Sequence, residues 1–190
     1  PKADSQRAFT LEEIRKLVDF APVYRSCVYR VAAFTGLRVG ELKGLKWNRI
    51  FLDTDCPYFE LDPSKTKNKQ GGTLPLLPDA LEALRELRAM APDDAELVFF
   101  KGVTQMPRFR KDLDEAGIAE LDERGRGVVF HTFRRSFVTL LRSSGIPYAI
   151  IAQFSRHLSI SMLDKVYTDK NILPLAEAVR SIPTLESSRI

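Results

Sequence analysis

The chain has 190 residues, 44% of them hydrophobic and 28% charged, which is enough to bury a core without disulfides or structural metals. Twenty-nine Lys and Arg residues against 25 Asp and Glu residues give a net charge of +4, a mildly basic balance that suits a nucleic-acid partner without requiring one. No apolar run approaches the roughly 18 residues of a membrane span, and the only cysteines, Cys27 and Cys56, match neither a disulfide framework nor a zinc site.

Apolar residues at helical spacing, together with helix start and stop signals, predict helices over most of the chain. Thr10 and Glu13 form a capping box at the start of the first helix, Pro22 suits the first turn of the second, and Gly36 suits its end. Arg38 and Glu41 are predicted to share one face of a short third helix. The remaining predicted helices cover residues 79–90, 104–116, 131–145, 147–154, 159–167 and 171–181.

Three short runs with strand-like composition lie between the third and fourth predicted helices. They cover residues 47–52, 58–61 and 73–77, and the link at 64–72 is long, basic and ends in glycine. We therefore expect a small antiparallel sheet with a projecting tip. The predicted fold class is α+β, mainly α-helical, with a small three-stranded antiparallel sheet.

The stretch around His131 contains the residues with the clearest chemical pattern. His131 and Arg134 lie three apart at the start of an apolar-periodic run, so on a helix they would share a face. His157 is the only other histidine, and Tyr167 follows it by ten residues. Each motif alone has an ordinary structural explanation, such as a solvated helix face or a half-buried aromatic residue.

Taken together, these motifs resemble the catalytic end of the tyrosine recombinases, the phage-integrase family. The segment Thr35–Leu42, TGLRVGEL, is similar to that family's first arginine motif, and Ser64–Lys69, SKTKNK, is similar to its β-hairpin lysine motif. The motifs occur in the family's order and cover roughly residues 10–170. The resemblance implies a fold of the DNA breaking-rejoining type.

The resemblance also implies a role for each matching residue. Arg38 and Arg134 are expected to clamp the nonbridging oxygens of a phosphodiester through paired, charge-assisted hydrogen bonds. Tyr167 is the expected nucleophile, with His131 accepting its proton and His157 donating to a phosphate oxygen.

The leaving 5′-oxygen needs a proton, and Lys65 is the general acid that the resemblance implies, with Lys67 and Lys69 as rivals. Glu41 is expected to orient Arg38 or His131. This chemistry conserves a phosphoester bond throughout, so no cofactor, metal or nucleotide is expected.

The expected activity is site-specific DNA recombination of the integrase type, through a 3′-phosphotyrosyl intermediate. Two alternatives are a type IB topoisomerase, which relaxes DNA without exchanging partners, and a non-catalytic DNA-binding relative. The expected partners are double-stranded DNA, further copies of the chain in a tetramer on DNA, and accessory DNA-bending proteins. The expected location is the bacterial cytoplasm, at the nucleoid.

The expected domain organisation follows from the same resemblance. Residues 1–9 are interpreted as a linker remnant, 10–170 as the catalytic domain and 171–190 as a C-terminal tail with a helix. The family's N-terminal DNA-clamping domain would precede Pro1. The tail helix is expected to dock either on its own domain or on a neighbouring subunit, and the sequence favours neither.

Overall fold

The structure is a computed structural model that describes residues 6–62, 71–155, 179–180, 182 and 184. Its helices are α1 (Leu11–Phe20), α2 (Val23–Thr35), α3 (Val39–Lys43), α4 (Pro78–Met90), α5 (Met106–Glu115), α6 (Thr132–Ser143) and α7 (Tyr148–Ser155). A three-stranded antiparallel sheet has the order β1 (Ile50–Phe51), β2 (Tyr58–Leu61) and β3 (Gly72–Pro75). The predicted α+β class, mainly helical with one small sheet, is confirmed.

Local sequence signals explain where the first helices begin and end. The Thr10 hydroxyl accepts a hydrogen bond from the Glu13 N–H, and the Glu13 carboxylate accepts one from the Thr10 N–H, which completes the predicted capping box. Pro22 lies at the N-cap of α2, one position before the predicted first turn. Gly36 ends α2 in the left-handed conformation, with φ of 60°, which only glycine adopts without strain.

The prediction of a first strand at residues 47–52 is only partly confirmed. Trp47–Arg49 form a turn of 3₁₀ helix, and only Ile50–Phe51 pair with β2. The reason is a contact distant in sequence, because the Trp47 N–H donates to the Glu96 carbonyl oxygen at 3.0 Å and so draws this segment away from the sheet. The predictions for β2 and β3 are confirmed to within two residues at each end.

The core beneath the first turn of α6 is aromatic. Phe133 stacks on Tyr29 of α2, with ring centroids 5.7 Å apart, and lies 5.7 Å from Phe109 of α5 and 5.2 Å from Phe9. Close packing of large rings leaves few alternative positions for the helix. The start of α6 is therefore fixed by α2, α5 and the segment before α1 together.

The segment before α1 is attached to α6 by polar contacts as well. The Phe9 N–H donates to Ser136 Oγ at 2.8 Å, and that hydroxyl donates to the Thr132 carbonyl oxygen. The Arg7 guanidinium binds Glu13 and the Ala119 carbonyl oxygen. The segment before α1 is thus linked to α6 by buried hydrogen bonds.

The predicted helices at 159–167 and 171–181 lie mainly outside the described residues. Val179 and Ile182 are described, and both are buried in the core of their own chain. Docking of the tail on a neighbouring subunit stays a prediction. Among the described residues, no helix combines the length and apolar character needed to cross a bilayer.

Candidate functional site

Arg38 is oriented by a carboxylate three residues along the chain. It precedes α3, and Glu41 lies in the first turn of that helix. One carboxylate oxygen of Glu41 accepts the Arg38 main-chain N–H at 2.8 Å, and the other accepts its guanidinium at 3.1 Å. The Glu41 side chain is 2% exposed, whereas that of Arg38 is 28% exposed. The buried carboxylate therefore holds the backbone and the side chain of Arg38 together while its guanidinium still reaches solvent.

Arg134 connects three elements of the fold. It lies on the first turn of α6 and is 4% exposed. Its Nη1 donates to the Gly36 carbonyl oxygen at 2.7 Å, and its Nη2 donates to the carbonyl oxygen of Ser155, the last residue of α7. One planar guanidinium thus joins the loop before α3 to the end of α7. A lysine, with a single terminal nitrogen, lacks this fork geometry.

His131 lies immediately before α6 and is exposed. The pKa of its imidazole is lowered, first by partial burial, which disfavours the charged form, and then by the positive charges of Arg134, Arg38 and Arg135. The Glu41 carboxylate acts in the opposite direction and more weakly. A neutral imidazole among guanidinium groups is suited to accept a proton.

The structure brings four of the residues selected from sequence into one region: Arg38, Glu41, His131 and Arg134. Arg38 and Arg134 meet through the Gly36 loop, two residues before Arg38, and both act electrostatically on His131. The expected common orientation of His131 and Arg134 holds only in part, because the imidazole is exposed while the guanidinium is buried. These positions create a local excess of positive charge at the start of α6.

Three further residues selected from sequence, Lys65, His157 and Tyr167, lie outside the described residues, as do Lys67 and Lys69. Lys65 belongs to the connection between β2 and β3, and His157 follows Ser155 by two residues in the sequence. Their roles stay predictions. The Ser155 carbonyl held by Arg134 is the nearest described structure to His157 along the chain.

Sequence reasoning missed two features of the site. The carbonyl groups of Gly36 and Ser155, which hold Arg134, carry no signal in the sequence because every residue has a carbonyl. A Cβ on Gly36 would also collide with the ring of Phe137, so the glycine permits close contact with α6 as well as the left-handed turn. The motif TGLR indicates a turn but not which helix packs against it.

Metal binding has no support in the part of the chain that the structure describes. Within it, no group of three or more His, Cys, Asp or Glu side chains is arranged to hold an ion. The positive charges around His131 belong to arginines, whose guanidinium groups are suited to bind phosphate oxygens in pairs.

Comparison with known proteins identifies a tyrosine recombinase as a relative of this chain. The chain is 28% identical over 192 aligned positions to the tyrosine recombinase XerA of Pyrococcus furiosus, an alignment that covers 95% of this chain and 63% of that protein. The chain therefore spans less than two thirds of the length of this relative.

Solved structures share the fold at low identity. The integrase from mycobacterium phage Brujita matches with a TM-score of 0.65 at 19% identity, over 93% of this chain and 58% of that one. A lambda integrase dimer bound to a COC′ core site matches with a TM-score of 0.63 at 20% identity, over 87% of this chain and 61% of that one.

A sequence model of the family described as "Phage integrase family" matches residues 7–172, which is most of the chain. The match includes the turn at Gly36, the start of α6 and the positions of Lys65, His157 and Tyr167. This chain belongs to the phage integrase family.

Proposed function

We propose that this chain is the catalytic domain of a site-specific DNA recombinase that cuts and rejoins DNA through a covalent phosphotyrosyl intermediate. The observation that carries the proposal is the convergence of Arg38 with His131 and Arg134, which follow it by 93 and 96 residues in the sequence. Family membership supports the same conclusion.

The chemistry begins with attack on a phosphodiester, which is anionic and gains further negative charge on its nonbridging oxygens in the transition state. Arg38 is oriented to donate to one such oxygen, because Glu41 holds its backbone and side chain. Arg134 supplies a second guanidinium beside it. Removing one preorganised donor of this type commonly costs about 10²–10³ in rate.

In the proposed first step, the Tyr167 oxygen forms a bond to phosphorus and the bond from phosphorus to the 5′-oxygen breaks. A phenol has a pKa of about 10, so it needs a base at neutral pH, and we assign that role to His131. His157 donates to a phosphate oxygen, and Lys65 donates a proton to the leaving 5′-oxygen. Rejoining is the reverse reaction with a different 5′-hydroxyl, so no net oxidation or hydrolysis occurs.

The proposed partners are double-stranded DNA and further copies of the chain. The structural relative lambda integrase is a dimer bound to a core site, which supports DNA and a second copy of the chain as partners. Exchange between two duplexes requires four strand cleavages, and four active sites satisfy that requirement. A tetramer on DNA with accessory bending proteins is therefore part of the proposal.

A trapping experiment tests the proposal without knowledge of the target site. The chain is incubated with a pool of duplexes that carry a randomised 30-base-pair core and a nick, so that the short product strand diffuses away after cleavage. We expect protein–DNA adducts that resist denaturation, a free 5′-hydroxyl that accepts phosphate from a kinase, and a phosphorylated peptide containing Tyr167. Sequencing the attached DNA would identify the target.

The Tyr167→Phe variant is the matched control, because it keeps the ring and removes the nucleophilic oxygen. Equal trapping by both proteins would remove Tyr167 from its role. Absence of adducts at every DNA sequence would favour the non-catalytic relative. Relaxation of any supercoiled plasmid without a site requirement would favour the topoisomerase.

A further inference from the structure

The hydroxyl group of Thr35 lies at the end of α2, in the turn that leads to Arg38. Thr35 is 4% exposed. Its Oγ1 donates to the Val31 carbonyl oxygen at 2.6 Å, one helical turn earlier, and accepts the Leu37 main-chain N–H at 3.3 Å. The hydroxyl therefore uses its only proton within the helix and offers a lone pair to the chain that follows.

The Leu37 N–H and the Gly36 carbonyl group belong to the same peptide unit. Resonance keeps that unit planar, so its two ends cannot rotate independently. Thr35 binds the N–H, and Arg134 Nη1 donates to the carbonyl oxygen at 2.7 Å. A rotation that carries the N–H away from Thr35 therefore also moves the carbonyl oxygen that Arg134 binds.

Two features make the orientation of this peptide depend on the Thr35 hydroxyl. Gly36 adopts the left-handed conformation, with φ of 60°, and a glycine backbone by itself allows several orientations of the next peptide. Leu37 is 3% exposed, so its N–H has little access to water and needs an acceptor within the protein. The Thr35 hydroxyl supplies that acceptor.

We propose that Thr35 is a positioning residue for the strand-cleavage reaction: its hydroxyl fixes the peptide between Gly36 and Leu37, and that peptide orients the guanidinium of Arg134. This inference rests on the proposed function. Thr35 acts through Arg134 and needs no contact with the DNA. Hydrogen bonds that share a peptide group polarise one another, so loss of the first also weakens the second.

Two substitutions separate the hydroxyl from the rest of the side chain. Thr35→Val keeps the branched shape and removes the hydroxyl, whereas Thr35→Ser keeps the hydroxyl. Thr139→Val is the matched control, because Thr139 is exposed on α6 and its hydroxyl donates to the Arg135 carbonyl oxygen at 2.9 Å. That hydrogen bond is of the same kind as the one from Thr35 to Val31. All variants are made in the 190-residue chain.

The first measurement is hydrogen exchange by NMR, which needs no substrate. Exchange of the Leu37 amide and of the Arg134 guanidinium protons is compared with exchange of the amide of Leu84, a buried residue inside α4. Thr35→Val should speed exchange at Leu37 and Arg134 about tenfold relative to Leu84, the effect of one ordinary hydrogen bond. Thr35→Ser and Thr139→Val should leave these ratios within about twofold of wild type.

Unchanged ratios in Thr35→Val would overturn the inference. Equal acceleration at Leu37, Arg134 and Leu84 would also overturn it, because it would mean that the hydroxyl stabilises the whole fold and does not act specifically on Arg134.

The second measurement is the rate of adduct formation on a nicked duplex at saturating protein, together with DNA affinity from fluorescence anisotropy. Thr35→Val should lower the rate by roughly tenfold to a hundredfold and change the affinity by less than about threefold, as expected for a group that orients a site residue. Thr35→Ser and Thr139→Val should stay within about twofold of wild type. In an Arg134→Lys background, Thr35→Val should add little further loss, because the two residues act as a unit.

The outcomes separate this inference from the proposed function. Faster exchange at Arg134 with a wild-type rate of adduct formation would overturn the inference and leave the recombinase assignment intact. Equal losses of rate in Thr35→Val and Thr35→Ser would also overturn it, because the hydroxyl would then not be the group that matters. A wild-type chain that forms no adducts would contradict the proposed function, whereas the exchange data would still decide whether Thr35 orients Arg134.

Discussion

The guanidinium of Arg134 on α6 and the carbonyl oxygen of Gly36 before α3 form a 2.7 Å hydrogen bond across 98 residues of sequence. The same guanidinium donates to Ser155 at the end of α7. Arg134 therefore positions the backbone around the site in addition to supplying charge. This combination leads to a prediction about its conservative replacement.

Arg134→Lys should keep the charge and lose the geometry. A lysine has one terminal nitrogen, so at least one of the carbonyl groups of Gly36 and Ser155 would lose its donor, at a cost of about 1–3 kcal/mol in stability. Adduct formation on a nicked duplex should fall by about 10²–10³ while binding to DNA changes by less than tenfold. The measurements are urea unfolding, trapping kinetics and anisotropy.

Arg135→Lys provides the control, because Arg135 is the exposed neighbour of Arg134. It should change the unfolding free energy by no more than about 0.5 kcal/mol and leave the trapping rate near wild type. If both variants behaved alike, Arg134 would have no special positioning role.

Gly36, whose carbonyl oxygen accepts a hydrogen bond from Arg134, and Gly40, four residues later, provide a second prediction. Gly36 has a positive φ of 60°, and an added Cβ would collide with Phe137. Gly36→Ala should therefore destabilise the protein by about 2–4 kcal/mol, the sum of a left-handed backbone cost and steric displacement of α6. Gly40, inside α3, has no atom within 4 Å of its added Cβ.

Gly40→Ala should be neutral or stabilising by up to about 1 kcal/mol, because alanine favours a helix and restricts the unfolded chain. Urea unfolding of the two variants side by side is the measurement. A loss of stability in Gly40→Ala as large as that in Gly36→Ala would contradict the steric argument.

The fold was predictable where the determining signal is local. The capping box of Thr10 and Glu13 identified the start of α1, and strand-like composition identified the limits of β2. The conformation of the segment at Trp47 was not predictable, because its main-chain hydrogen bond is to Glu96, which lies after α4 in the sequence. Tertiary contacts of this kind override strand propensity.

The candidate site divides in the same way. The residue types at Arg38, His131 and Arg134 were identified from motif order, and the pairing of Arg38 with Glu41 follows from helical spacing. The burial of Arg134 between two carbonyl groups was not predictable. The guanidinium can reach these two carbonyl oxygens only when α2, α6 and α7 are packed together. Because every residue has a carbonyl group, the sequence does not indicate which carbonyls will accept.

The titration of His131 tests the electrostatic arrangement of the site. Its pKa is lowered by partial burial and by the charges of Arg134, Arg38 and Arg135, and raised by Glu41. We expect the imidazole to titrate below its ordinary value of about 6.5 in NMR spectra. Arg38→Gln should move the pKa upward and Glu41→Gln should move it downward. His157→Gln assigns the two histidine signals, since the chain has only two histidines.

The sign of the linked stability follows from the same shift. The unfolded imidazole binds a proton more readily than the folded one, so stability falls as the pH drops below about 6.5 toward the folded pKa. Because His131 is exposed, this effect is small. Shifts of the same sign in Arg38→Gln and Glu41→Gln would contradict the arrangement of charges around His131.

Asp112 on α5 is the buried centre of an ionic network that braces α2. Its side chain is fully buried, and its carboxylate accepts hydrogen bonds from Arg25 at 2.8 Å, Arg108 at 2.6 Å and the Tyr29 hydroxyl. Burial by itself would raise the pKa of Asp112, but the hydrogen bonds from Tyr29, Arg25 and Arg108 outweigh it and lower the pKa. Asp112→Asn should therefore destabilise the protein by roughly 2–4 kcal/mol, because it removes the counter-charge of Arg25 and one of the two carboxylates that bind Arg108.

The pH dependence of stability distinguishes this network from simple loss of packing. A carboxylate with a depressed pKa stabilises the fold fully above its unfolded value, near 3.8, and that stability is lost as the pH falls through the folded pKa. Urea unfolding between pH 7 and pH 3 should show the gap between wild type and Asp112→Asn narrowing only below about pH 4. Lys111→Gln, at the adjacent exposed position, should be within about 0.5 kcal/mol of wild type throughout. A gap that stayed constant down to pH 3 would mean that the charge of Asp112 contributes nothing and that shape alone accounts for its effect.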